Sequence, residues 1–155
     1  MKKAFFTFML FTITGVLSFA QTRPTKQEIV NWIIEKVRLY SEYKLIESNN
    51  TKVATFFSID ANQNIEQHIT GKGFTMIGTE KLEDICSAEL DELNRIKIQF
   101  KQPIVITQLE TGGKVTSGIA ILYLNESKEN NLRNRMIKAL NDLGSYNCPK
   151  AKEVY

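Results

Sequence analysis

The stretch "EDICSAELDE", residues 83–92, sets Cys86 among five carboxylates, and a second cysteine, Cys148, stands near the C-terminal end. A thiol here can be a nucleophile, a metal ligand, half of a disulfide or a small core side chain. A nucleophilic cysteine needs positive surroundings to hold its thiolate. The acids at 83, 84, 89, 91 and 92 are the opposite, so local charge argues against catalysis by Cys86.

His68 is the only histidine of the chain. Ile65, Gln67 and Ile69 alternate with Glu66, His68 and Thr70, the pattern of a half-buried strand. His68 therefore shares a side with Glu66 and reads as a surface residue. Glu66, His68 and Cys86 together would make a metal or thiol site. A structural zinc site usually takes four Cys or His ligands, and the chain has three such residues in all. Asp60, Asn62 and Asn64 alternate like the start of a calcium loop. That loop wants Gly at its sixth position and Glu at its twelfth, where this chain has Ile65 and Gly71. "TGKG" (70–73) and "TGGK" (111–114) resemble P-loops only superficially: in the second, Gln108 and Val115 occupy the required Gly and Ser/Thr positions, and strands flank both. Both read as tight hairpins. Asp91 and Glu92 are an acid pair of the kind glycosidases use, but nothing marks a sugar cleft, and the run 89–92 reads as a solvated loop or turn.

The elements that position these residues begin with a leader. Lys2 and Lys3 precede an uncharged run from Ala4 to Phe19, and Ser18 and Ala20 form a small-residue exit before Gln21. This is the layout of a secretory signal peptide over 1–20, followed by a single domain over 21–155. Removing it takes away two lysines and no acids, so the net charge falls from +3 to +1. That balance lacks the basic excess of a nucleic-acid binder and of a polybasic membrane anchor. No later apolar run is long enough to span a bilayer. The expected localisation is periplasmic or secreted, where disulfides persist. An even cysteine count in such a chain points to a Cys86–Cys148 bridge, closing about 60 residues and worth roughly 4 kcal/mol. Free thiols or an intermolecular bond are the alternatives.

In the mature chain, Thr25-x-x-Glu28 is a capping box. Ile29, Trp32, Ile33, Val37 and Tyr40 follow as a helical stripe, predicting a helix over 26–42. Trp32 on that stripe reads as a core anchor, with the lining of a ligand groove as its alternative. Short β-branched and aromatic runs follow, predicting strands at 44–47, 52–59, 64–70, 73–77, 94–101, 103–110 and 115–124. Pro103 is expected to mark the turn between the fifth and sixth of these, since it cannot donate to a ladder. Ser127 is the expected cap of a last helix carrying Leu132, Met136, Ala139, Leu140 and Leu143, with Gly144 as its stop. The fold class is α+β: an N-terminal helix, a six- or seven-stranded antiparallel sheet or partly closed barrel, and a C-terminal helix.

A signal ending in "LSFAQ", then "PTKQEIVNWIIEKV", short strands and a terminal "NRMIKALNDL" resembles small exported proteins of unknown function common in Bacteroidota. Seven short antiparallel strands closed by a C-terminal helix also resemble the pleckstrin-homology-like barrel. Lipid-binding members of that family carry a tryptophan in the last helix and basic residues in the first hairpin. This chain has no Trp in its last helix, and "KLIESNNTKVATFF" supplies only Lys44 and Lys52. The resemblance therefore implies the barrel and not phosphoinositide binding. With no catalytic constellation, no cofactor and no nucleic-acid signature, the expected function is a non-catalytic binding or protein-interaction domain. Its site would be a sheet edge or the groove beside the terminal helix, and its partner a protein or small ligand. An inhibitor or immunity-type protein acting on an exported enzyme is the alternative, and a carboxylate hydrolase using Asp91 and Glu92 the third.

Overall fold

The computed structural model describes residues 23–48 and 51–148. The predicted leader, its cut before Gln21 and the tip of the first hairpin lie outside the described residues. Helix α1 spans Lys26–Tyr40 and opens on the expected capping box. The Thr25 N–H donates to the Glu28 carboxylate at 2.7 Å, and the Glu28 N–H to the Thr25 hydroxyl at 3.3 Å. The helix ends two residues earlier than its pattern suggests: Ser41 is extended, and its N–H closes on the Val37 carbonyl. Ile29, Val30, Ile33 and Val37 form the buried face.

Seven strands follow: β1 Lys44–Ser48, β2 Thr51–Ile59, β3 Asn64–Gly71, β4 Phe74–Lys81, β5 Ile85–Leu90, β6 Ile96–Gln108 and β7 Lys114–Leu122. A single 3-10 turn, Leu82–Asp84, joins β4 to β5. All neighbours are antiparallel, in the order β1-β2-β3-β4-β6-β5, with β7 also on β6. The result is a curled antiparallel sheet, a half-barrel, between an N-terminal and a C-terminal helix, as the sequence predicts. Helix α2 spans Leu132–Asn147. The core between helices and sheet is rich in isoleucine: Ile33, Ile65, Ile85, Ile96 and Ile98 are each at most 1 % exposed. Side chains of this size stabilise by about 1.5–3 kcal/mol each when fully buried.

Four expectations change. The runs 94–101 and 103–110 are one strand, β6. Pro103 does not turn the chain; it sits in an irregularity between Gln99 and Ile104, exposed, where a missing N–H costs no ladder bond. β6 is long enough to carry β5 on its first half, β4 on its second and β7 along both. The acid-flanked "ICSAEL", for which no strand is predicted, is strand β5, so that of the run 89–92 only the end lies in a turn. Ser127 does not cap α2: its hydroxyl bonds the Asn125 side chain, and Asn131, in the left-handed region at φ 57°, precedes the helix. Gly144 does not stop α2, which runs on to Asn147.

Candidate functional site

Cys86 is where the sequence first suggests chemistry, and the structure closes that question. In the β5–β6 pairing Ile85 faces Phe100 and Ser87 faces Gln99, which leaves Cys86 as the extra residue of a bulge. A bulge re-aims its side chain, and here it aims Cys86 at the end of α2. Cys86 and Cys148 are disulfide-bonded, with Cα atoms 5.3 Å apart and a sequence separation of 62. The thiol is thus unavailable to a site with His68 and Glu66.

The bridge belongs to a seam. Asn141 of α2 behaves as a strand neighbour of Ala88, accepting from its N–H and donating to its carbonyl, both at 2.9 Å. The Asn147 amide donates to the Leu82 and Ile85 carbonyls at 3.1 Å. Gly144 lies against the Cys86 carbonyl so closely that a Cβ there would overlap it. That close approach, and not helix termination, is why glycine stands at 144.

The other predicted residues take structural places. Glu66 and His68 do meet, at 3.2 Å, on the partly exposed side of β3. Asp60 accepts from the Asn62 and Asn64 N–H groups and from the Asn64 side chain, each at 2.8 Å. These bonds, that from the Asn64 side chain first, hold its carboxyl below the usual aspartate range. Asp91 accepts from the Leu93 and Arg95 N–H groups and pairs with the Arg95 guanidinium. Burial pushes its carboxyl up, but the bonds from Arg95 and Leu93 outweigh that and leave it lowered. A carboxylate so engaged is a turn staple, not a free acid or base beside Glu92. Gly73 and Gly112 have φ of 81° and 69°, the hairpin role expected for both glycine stretches. Among the described residues no group of three or more metal-ligating side chains comes together.

What the geometry does assemble lies between the helices. Lys36 of α1 meets Glu129, just before α2, at 2.9 Å. At the opposite end the Tyr146 hydroxyl donates to the Pro24 carbonyl at 3.0 Å, and Arg23 bonds Ser145 and stacks on the Tyr146 ring. The helices are therefore antiparallel and clasped at both ends. Between the clasps they part into a groove of about 510 Å³, lined by Glu28, Ile29, Trp32, Arg135, Ala139 and neighbours. Trp32 is half-buried there. Arg135 stands 5.4 Å and Lys36 5.9 Å from its ring centroid, within the range of cation–π attraction. Glu129 holds both cations.

The charges of this groove are matched within it. The hydrogen bond from Lys36 comes first in holding the Glu129 carboxyl below the usual glutamate range, and the same bond raises Lys36. Glu28 is likewise lowered, by the Thr25 backbone and then the Thr25 hydroxyl. Lys138 pairs with Asp142 at 2.7 Å. The arrangement presents an aromatic face and an apolar floor inside a rim of compensated charge. The two carboxylates that line it are both engaged, Glu28 with Thr25 and Asp142 with Lys138. The sequence places Trp32 on the right helix, but it cannot show Arg135 and Glu129 beside it, because they arrive from about a hundred residues away. No family model, curated protein or solved structure matches the chain.

Proposed function

We propose that the chain is an exported, non-catalytic binding or protein-interaction domain whose site is the groove between α1 and α2. The observation that carries this reading is Trp32. It is the only tryptophan of the chain, and it stands half-buried on the wall of a groove, its ring flanked by two cations, instead of filling the core. Aromatic side chains with one apolar and one wet side are the usual anchors of interfaces. The leader-like N-terminus and a disulfide that needs an oxidising compartment support export. Two consecutive meanders closed by a C-terminal helix support the likeness to a pleckstrin-homology-like barrel, with the helix groove rather than the first hairpin as the binding place.

The test is native mass spectrometry of the protein purified from its own exporting host, beside a Trp32→Ala variant. The reading expects a chain starting at Gln21, two hydrogens light, carrying a noncovalent bound mass that the variant loses while keeping its circular dichroism. A wild-type protein from its native compartment with no bound mass, or a bound mass that Trp32→Ala retains, contradicts it.

A further inference from the structure

The sheet ends at three strands: β5, whose far side α2 covers, and β1 and β7, which are finished differently. At one, β1 is five residues long and carries Lys44 and Glu47. Charged side chains along a sheet edge keep it from pairing with another chain. At the other, β7 pairs with β6 along one side only. The far side of β7 is finished group by group from Ile119 onward. The Ser117 hydroxyl donates to the Ile119 carbonyl at 2.8 Å and accepts from its N–H at 3.3 Å. Gln67, buried on β3, accepts from the Ile121 N–H at 3.4 Å. The Glu42 N–H reaches the Tyr123 carbonyl, the Asn125 N–H reaches the Tyr40 carbonyl, and Ser41 and Leu124 form an antiparallel bridge.

Between Lys114 and Gly118 this finishing stops. Among the described residues nothing hydrogen-bonds to the far side of that stretch. The chain that begins the pairing at Ser41 and Glu42 leaves it, running off as β1 to pair with β2. The vacant stretch therefore continues a pairing already started within the molecule. It has one charge, Lys114, and no proline. Val115 is 55 % exposed, and Val105, across the ladder from Thr116, is 48 % exposed.

We propose that Lys114–Gly118 of β7 is a docking edge for an extended segment of a different protein, added as an antiparallel strand. What the edge lacks is alternating donors and acceptors at strand spacing, and an extended main chain supplies them. The antiparallel sense follows from the Ser41–Leu124 bridge that it prolongs. Val105 and Val115, on opposite faces, favour a segment with apolar residues at successive positions. This edge is separate from the helix groove, so its failure and the failure of the groove reading are distinguishable.

The probe is a blocked synthetic peptide of six residues with apolar side chains at successive positions, added to the isotope-labelled mature chain and followed by NMR. Expected are chemical-shift changes and slowed amide exchange confined to Lys114–Ile119 and Val105. N-methylation of alternate peptide amides removes the bonds without touching the protein, and should weaken binding about tenfold or more. No shift at millimolar peptide, shifts elsewhere, or equal binding of the N-methylated peptide overturns the proposal. Dilution-dependent shifts of the same residues without peptide also overturn it, by giving the edge to a second copy of the chain.

Discussion

Helix α2 has two working sides made of different materials. Toward β5 it offers a disulfide, a glycine in contact with backbone, and two asparagines bonded to main-chain groups. Toward α1 it offers Arg135, Ala139, Lys138 and Asp142, around the ring of Trp32. The first side consists of fixed, mostly uncharged contacts that leave no room. The second consists of paired charges and an aromatic face bordering open space. Close packing specifies a fold, and an open, compensated groove leaves surface for a ligand. The comparison assigns the chemistry-bearing Cys86 to stability and, on the proposed reading, leaves the stripe residue Trp32 for binding.

The comparison can be broken first at the seam. Replacing both cysteines by serine is expected to cost roughly 4 kcal/mol in urea denaturation, since the bridge closes a 62-residue separation. An equal stability for the double variant would remove the seam from the account. Gly144→Ala should come next, losing about 3 kcal/mol, because the new methyl overlaps the Cys86 carbonyl and neither backbone can easily give way. Asn141→Ala strands the Ala88 N–H and carbonyl and should cost about 1–3 kcal/mol. A loss below the smaller figure would mean that water replaces the amide.

Acid sharpens the contrast with a smaller effect. A carboxyl lowered in the folded state adds stability that is present above its unfolded pKa and is lost as pH falls through its folded one. Glu129 and Glu28, both below the ordinary 4.5, lie on the α1–α2 side. The seam relies on a disulfide and amides, which do not titrate. As pH falls below 4.5, hydrogen exchange should therefore rise between α1 and α2, and at the Asp91–Arg95 turn whose carboxyl is also lowered, before it rises where β5 meets α2. Glu129→Gln should flatten that dependence. Lys36 is raised, so its part of the pairing is present below 10.5 and fades as pH rises through its folded value.

How much of this was legible depends on where the information sat. Two hairpin turns show the limit. Asp60–Asn64 and Asp91–Arg95 are built alike: the aspartate N–H bonds the carbonyl four residues on, the fourth residue's N–H returns to the aspartate carbonyl, and Gln63 and Asn94 have φ of 64° and 56°. The first was readable because isoleucine alternation follows it. The second hid in an acidic run, and β5 before it reads poorly as a strand because its bulge breaks the alternation at Cys86. Helix α1, with a capping box and a clean stripe, was legible almost to the residue. In α2 the stripe was legible but its ends were not, since Gly144 answers to a carbonyl on β5 and not to the helix. The Cys86–Cys148 pairing followed from counting cysteines. The groove did not follow from any local pattern, because Trp32, Arg135 and Glu129 meet only through tertiary packing.

The most direct test of the division between the two sides sets Arg135→Ala against Gly144→Ala. Both are followed by urea denaturation through the emission of Trp32, and by the bound mass each variant carries from the exporting host. The account predicts that Arg135→Ala barely moves the unfolding midpoint yet loses the bound mass, while Gly144→Ala drops the midpoint sharply. An Arg135→Ala protein as destabilised as Gly144→Ala, or one that keeps its bound mass, would contradict it and make the groove a part of the scaffold.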